Sequence, residues 1–191
     1  MTILGVRTVV GPTILLSSGY YFDFLNPAGS VLLIDDIAHG LSLCCRFAGQ
    51  CREFYSVAEH SVFVSSLVEP RHAYAALMHD AAEAFIGDVT RPLKSLLPQY
   101  KAIERAVEAA IFERFKVDMA RSTSVVKEAD LRALAAEQAM LMPSHDDQWP
   151  ILAGIDVPRM PESRMGPEEA EAAFLARYEE VRPPPIGAVL R

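Results

Sequence analysis

The sequence predicts one mostly α-helical domain with a small N-terminal β-hairpin-like extension. Three observations carry this. Short β-prone runs are confined to residues 1–34, and from Asp35 onward apolar residues recur every three to four positions, the helical period. Each later periodic stretch is bounded by a capping residue, a glycine or a proline. With 191 residues, the chain can bury about 70% of the surface its unfolded form exposes. We therefore read 1–34 as an extension packed on a core formed by 35–191, in a single globular unit.

In the extension, runs at 6–10, 13–16, 20–24 and 31–34 are separated by Gly11-Pro12, Ser17-Ser18-Gly19 and Asn26-Pro27-Ala28-Gly29, which suggests one or two hairpins. A helix follows with Ile37, Leu41 and Cys44 or Cys45 on one face, capped by Asp35 or Asp36 and ended by Gly49-Gln50. Ser56-Val57-Ala58-Glu59 is a capping box, so the next helix starts at Ser56 and runs to about residue 68, before Pro70. Residues 71–85 form the third, with Gly87 as its C-terminal glycine. Thr90 caps a short turn containing Pro92, and Pro98 precedes a helix over 99–115 with the stripe Tyr100, Ile103, Val107, Ile111 and Phe115. Ser122 or Ser124 opens a helix that stops at Met142-Pro143. Residues 143–166, around Trp149, read as a loop, and Gly166-Pro167-Glu168-Glu169 starts a last helix with Ala170, Ala173, Phe174 and Val181 on one side.

Composition excludes several function classes. Hydrophobic residues make up 51% and charged residues 23%, near the globular norm. A net charge of −7 argues against a nucleic-acid surface, which needs clustered Lys and Arg. The N-terminal apolar run is broken by Arg7, Gly11 and Pro12, so neither a signal peptide nor a membrane span is expected, and the reading is a cytoplasmic protein with no membrane partner. Cys44, Cys45 and Cys51 fit no zinc spacing and are expected to be reduced, mostly buried thiols.

The chemistry concentrates in residues 77–88, where His79, Asp80, Glu83 and Asp88 interrupt an apolar segment. Polar groups there are costly unless they satisfy one another or an ion. On a helix His79 and Asp80 would diverge by about 100° and could share one ion at their seam, with Glu83 leaning over it one turn on. His60 sits early in the preceding helix. Measured from the turn between the two helices, His60 and His79 each lie about eight residues away, roughly 12 Å along antiparallel axes, and so reach the same level. Asp130 falls among Val126, Ala133, Leu134 and Leu141, a face that otherwise looks buried, and needs either an ion or an arginine as partner. A His60, His79, Asp80 and Asp130 set with mixed N and O ligands suits Mn, Co, Ni, Fe or Zn better than Mg. His39, His72 and His145 fall outside this set, although His72, two turns before His79, could line the pocket.

These residues carry a resemblance. His60, His79-Asp80 and Asp130 match the H...HD...D pattern of the HD-domain metal-dependent phosphohydrolases. The stretch 77–106, with HDxxE, Gly87-Asp88, Pro92-Leu93-Lys94 and Tyr100-Lys101-Ala102-Ile103-Glu104, resembles bacterial 5'-deoxynucleotidases, as does Lys127-Glu128-Ala129-Asp130. The resemblance covers roughly residues 35–142. The N-terminal part, with Asp35-Asp36-Ile37-Ala38-His39 and Tyr55-Ser56-Val57-Ala58-Glu59-His60, is more similar to phage-associated HD hydrolases, some of which act on deoxynucleoside triphosphates.

The resemblance implies an HD-domain helical bundle with one divalent metal ion and a nucleotide substrate. Glu83 is the expected catalytic residue, orienting or deprotonating water or returning a proton to the leaving oxygen. It also implies that Arg46 binds phosphate and that Phe47 stands where the family has a larger indole against the nucleoside. Asp88 either contacts a sugar hydroxyl or caps the turn through Thr90, and Lys94 and Arg91 are candidate phosphate cations. The expected activity is release of phosphate from deoxynucleoside 5'-monophosphates. The alternatives are a dNTP triphosphohydrolase releasing tripolyphosphate and a non-catalytic metal- or nucleotide-binding regulator. A homo-oligomer is compatible with the apolar face after Gly166, which packs either in cis or against a second subunit.

Overall fold

The computed structural model describes residues 9–184, a helical protein with a two-stranded sheet at its N-terminal end. The hairpin pairs β1 (Thr13–Leu15) with β2 (Tyr21–Asp23) antiparallel, in the register Thr13↔Asp23, Ile14↔Phe22 and Leu15↔Tyr21. Among the described residues, only these two of the four expected runs are strands. Residues 6–8 lie outside the described residues, and 31–33 form no strand and lead into the first helix at Ile34. Phe22 is fully buried and stacks on Phe85 at 4.4 Å between ring centroids, which joins the hairpin to the core.

Helix α1 (Ile34–Leu43) starts at Leu33, and neither Asp35 nor Asp36 caps it. Asp36 is instead buried in the first turn, where it accepts hydrogen bonds from Ser17 Oγ, Ser18 N and Ser18 Oγ and ties the hairpin loop down. The helix stops well before the expected Gly49. Cys44 turns extended, and residues 44–46 pair with 55–57 through Arg46 N to Tyr55 O and Val57 N to Cys44 O, both 2.9 Å. This short ladder fixes where Arg46 and Tyr55 lie.

Helix α2 (Val57–Ser66) begins as expected, with Ser56 Oγ accepting from Glu59 N at 3.1 Å. Half of the capping box is present. The Glu59 carboxylate does not reach back to Ser56 and instead receives Arg164 and the Met165 N–H. The third expected helix is two pieces, α3 (Pro70–Leu77) and the single turn α4 (Glu83–Ile86), with His79 and Asp80 in the bend between them. The break has a local cause. His79 Nδ1 donates to Ala76 O at 2.7 Å, the carbonyl that a continuous helix would give to the Asp80 N–H. Gly87 closes α4 at φ 76°, as its position predicted.

The remaining helices are α5 (Arg91–Ser95), α6 (Pro98–Phe115), α7 (Thr123–Leu141) and α8 (Pro167–Val181). On α6 the burial is narrower than the expected stripe: Val107 and Ile111 are fully buried, but Ile103 is 41% exposed. Helix α8 packs on α1, α2 and α3 through Ala170 and Phe174, both fully buried. The segment from 142 to 166 holds one 3-10 turn, Pro150–Leu152, and lies back along α7. Among the described residues no helix is long and apolar enough to cross a membrane.

Candidate metal centre

Three elements meet where the sequence placed its ligands. His60 comes from the second turn of α2, His79 and Asp80 from the bend after α3, and Asp130 from the middle of α7. His60, His79 and Asp130 each offer an atom within 4.8 Å of the other two, a group that can hold a metal ion. Asp80 Oδ2 joins the same point, 3.5 Å from His60 Nε2 and 3.2 Å from His79 Nε2. Asp130 Oδ1 is 3.4 Å from His60 Nε2, so the arginine partner considered for this carboxylate is not what it faces.

The two imidazoles are oriented from behind. His79 gives its Nδ1–H to Ala76 O, and His60 gives its own to Glu137 Oε1 at 2.5 Å. Both Nε2 atoms are buried and have no hydrogen-bond partner among the described residues. Buried polar atoms are nearly always satisfied, so two orphaned nitrogens facing two carboxylates fit a cation between them. The donor set, two imidazoles and two carboxylates, is of the kind that transition ions and zinc accept.

The electrostatics agree. Burial and the Arg46 charge push the His60 imidazole down, but Glu137 and the Asp130 carboxylate 3.4 Å from Nε2 outweigh them and raise its pKa to about 9. Burial works to raise Asp80, and His79, His60 and Arg46 overcome it and hold the carboxyl well below the usual range. The carboxylates that favour a proton on each imidazole would equally favour a metal cation in that proton's place, with the rings neutral.

Glu83 opens α4 and is buried; Oε2 has no partner among the described residues, and Oε1 is 3.9 Å from Lys94 Nζ. Burial, followed by the Asp80 and Asp88 charges, pushes its carboxyl well above the usual carboxylate range. Lys94 is committed at 2.6 Å to Glu104. Asp88 is half-buried and donates its backbone N–H to Cys44 Sγ; the Thr90 side chain makes no cap bond at the start of α5. Burial raises the Asp88 carboxyl, with Arg46 opposing.

Arg46 is buried, with Nη2 3.0 Å from Glu137 Oε2 and Nη1 3.7 Å from Asp80 Oδ2. The next three residues, Phe47, Ala48 and Gly49, are all left-handed, at φ 54°, 52° and 75°. Two of them carry side chains, a strained turn of the kind that clusters at functional sites. It sends Arg46 inward and leaves Phe47 half-buried, under the guanidinium at 5.4 Å and 6.4 Å from the Trp149 ring.

His72 does not line the centre; its Nδ1 meets Ser122 Oγ at 3.0 Å. His39 pairs with Glu171, and His145 stacks on Trp149. The three cysteines are free and half-buried. Sequence reasoning missed two residues, Glu137 and Tyr55, both fully buried. Glu137 accepts from His60, from Arg46 Nη2 and, at 2.9 Å, from Tyr55 Oη. The signal for Glu137 was its spacing, seven residues after Asp130 and therefore on the same helical face.

No protein-family model matches the chain. It is 41% identical to the uncharacterized protein YfdR of Escherichia coli (strain K12), an alignment covering 85% of this chain and 90% of that one. It is also 33% identical to the uncharacterized protein RCAP_rcc00048 of Rhodobacter capsulatus, over 84% of this chain and 91% of its relative. The chain belongs to the family of Escherichia coli YfdR.

Proposed function

We propose that this protein is an HD-type, metal-dependent phosphohydrolase that removes the phosphate of deoxynucleoside 5'-monophosphates. The observation that carries this reading is the pair of orphaned imidazole nitrogens, His60 Nε2 and His79 Nε2, facing the Asp80 and Asp130 carboxylates. These four residues would hold one divalent ion, Mn, Co, Ni, Fe or Zn. When bound, such an ion supplies positive charge to a phosphoryl group and acidity to water.

The other roles belong to the chain itself. Arg46, fixed on Glu137 with Nη1 toward Asp80, supplies a permanent positive charge for phosphate oxygens. Glu83 has one buried oxygen free to take a proton from the attacking water and to return it to the leaving sugar oxygen. Lys94 keeps positive charge beside that carboxyl. Water adds to phosphorus as the ester P–O bond breaks, giving nucleoside and inorganic phosphate. Phe47 and Asp88 are the groups assigned to the nucleoside, and neither a nucleic acid nor a membrane is a partner in this reading.

The test is a product assay on chelator-stripped protein refilled with Mn, Co or Zn, against deoxynucleoside mono- and triphosphates. Inorganic phosphate from monophosphates is the expected product. Tripolyphosphate from triphosphates would replace this reading with a triphosphohydrolase. Silence from folded, metal-loaded protein would point to a non-catalytic metal- or nucleotide-binding regulator. Asp80→Ala should lose both metal and turnover, whereas Glu83→Ala should keep the metal and lose about 10²–10⁴-fold in rate.

A further inference from the structure

We infer that Glu137 is the positioning residue of this centre, fixing the His60 imidazole and the Arg46 guanidinium on one carboxylate so that metal retention and anion recognition depend on the same side chain. The inference rests on the phosphohydrolase reading and deepens it. Glu137 lies two turns after Asp130 on α7, fully buried. Oε1 accepts from His60 Nδ1 at 2.5 Å and from Tyr55 Oη at 2.9 Å, and Oε2 accepts from Arg46 Nη2 at 3.0 Å.

A buried ion pair is weak evidence for stability, since apolar residues of similar volume often serve as well. Direction is what a carboxylate adds here. With Nδ1–H committed to Oε1, His60 is left with Nε2 alone to face Asp80 and Asp130. With Nη2 committed to Oε2, the Arg46 guanidinium keeps Nη1 on the Asp80 side. The other imidazole does not depend on a side chain, because the main-chain carbonyl of Ala76 orients His79. The centre therefore has one ligand set by the backbone and one set by Glu137. A glutamine at 137 fails at this task. Its single oxygen cannot serve three donors, and its NH₂ meets a donor at either Arg46 or His60.

The experiment uses the full chain and Co(II) alone as the probe, with the dissociation constant from chelator competition and the visible spectrum of the bound ion. Glu137→Gln should weaken Co(II) about 10–100-fold and change the spectrum, and should also weaken inorganic phosphate on the Co(II)-loaded protein. Tyr55→Phe, which leaves the carboxylate with its His60 and Arg46 partners, should shift Co(II) affinity by no more than about threefold. Wild-type affinity and spectrum in Glu137→Gln would overturn the inference and leave the phosphohydrolase reading standing. An equal loss in Tyr55→Phe would also overturn it, because general packing would then explain both. Failure of the unsubstituted chain to retain Co(II) would remove the metal reading and the inference with it. If Glu137→Gln does not fold, long-range ¹H–¹⁵N spectra of the zinc-loaded unsubstituted chain decide: His60 should carry Nδ1–H with Nε2 on the metal, and Nδ1 on the metal would overturn the proposal.

Discussion

The charge state of Glu137 is set by its partners. Burial works to raise its carboxyl, and Arg46, His60 and the Tyr55 hydrogen bond overcome it and hold the pKa at about 2, against an ordinary 4.5. A depressed folded-state value contributes stability that is present above the unfolded value and lost as pH falls from about 4.5 through about 2. The difference corresponds to about 3 kcal/mol at neutral pH. Metal-free protein should therefore show a urea midpoint that drops steeply below pH 4.5, and in Glu137→Gln this part of the slope should disappear. An unchanged slope in that variant would assign the acid sensitivity to other carboxylates. His60, His79, Asp80 and Asp130 could be read from the sequence because each is a polar residue on an apolar background at a helical level that can be counted. Glu137 fits the same buried stripe, Val126, Asp130, Ala133, Glu137 and Leu141, but its charge partner Arg46 lies 91 positions away. No local pattern reports that separation.

Elements were legible at their starts more than at their ends. Ser56 and Gly166-Pro167 announce α2 and α8 through chemistry local to the first turn, whereas Ser122 stands at the cap position of α7 with its hydroxyl on His72. The ends of α1 and α3 depend on a strand-like pairing with residues 55–57 and on a histidine side chain that takes a helix carbonyl. Close packing between elements was equally hidden. Gly40 on α1 meets α4 so tightly that a Cβ there would lie 2.8 Å from Ala84 O and 2.9 Å from Ala84 Cβ. One of these atoms is main chain, so α4 itself has to move. Gly40→Ala should cost about 1–3 kcal/mol by overpacking, measured by urea denaturation. Because α4 starts at Glu83, the same variant should lower kcat while metal affinity stays near wild type. Loss of stability with undiminished kcat would show that the shift is absorbed away from Glu83.

At the scale of the whole molecule, the segment after α7 is held to α2 by a buried charge pair. Arg164 Nη1 lies 2.8 Å from Glu59 Oε1, the Met165 N–H bonds Oε2 at 3.1 Å, and the two charged side chains are only 8% and 6% exposed. Arg164 also lies over the Tyr55 ring at 5.5 Å, and Tyr55 bonds Glu137, so the strap abuts the groups that orient His60. The prolines and glycines of 143–166 read only as a loop because the anchor joins positions 105 apart. Arg164→Met leaves Glu59 buried with a single backbone donor, which should cost about 3–5 kcal/mol. For a chain of this size that is a fall in Tm of at least about 6 °C. The double variant Glu59→Leu with Arg164→Met removes both charges and should regain most of the loss, since an apolar pair of similar volume often replaces a buried ion pair at little cost. A thermal melt of the three variants separates two accounts. Recovery in the double variant means that the single change acts through an uncompensated carboxylate. No recovery means that the strap needs this ion pair's geometry, with Arg164 holding the segment against α2 and Tyr55 at once.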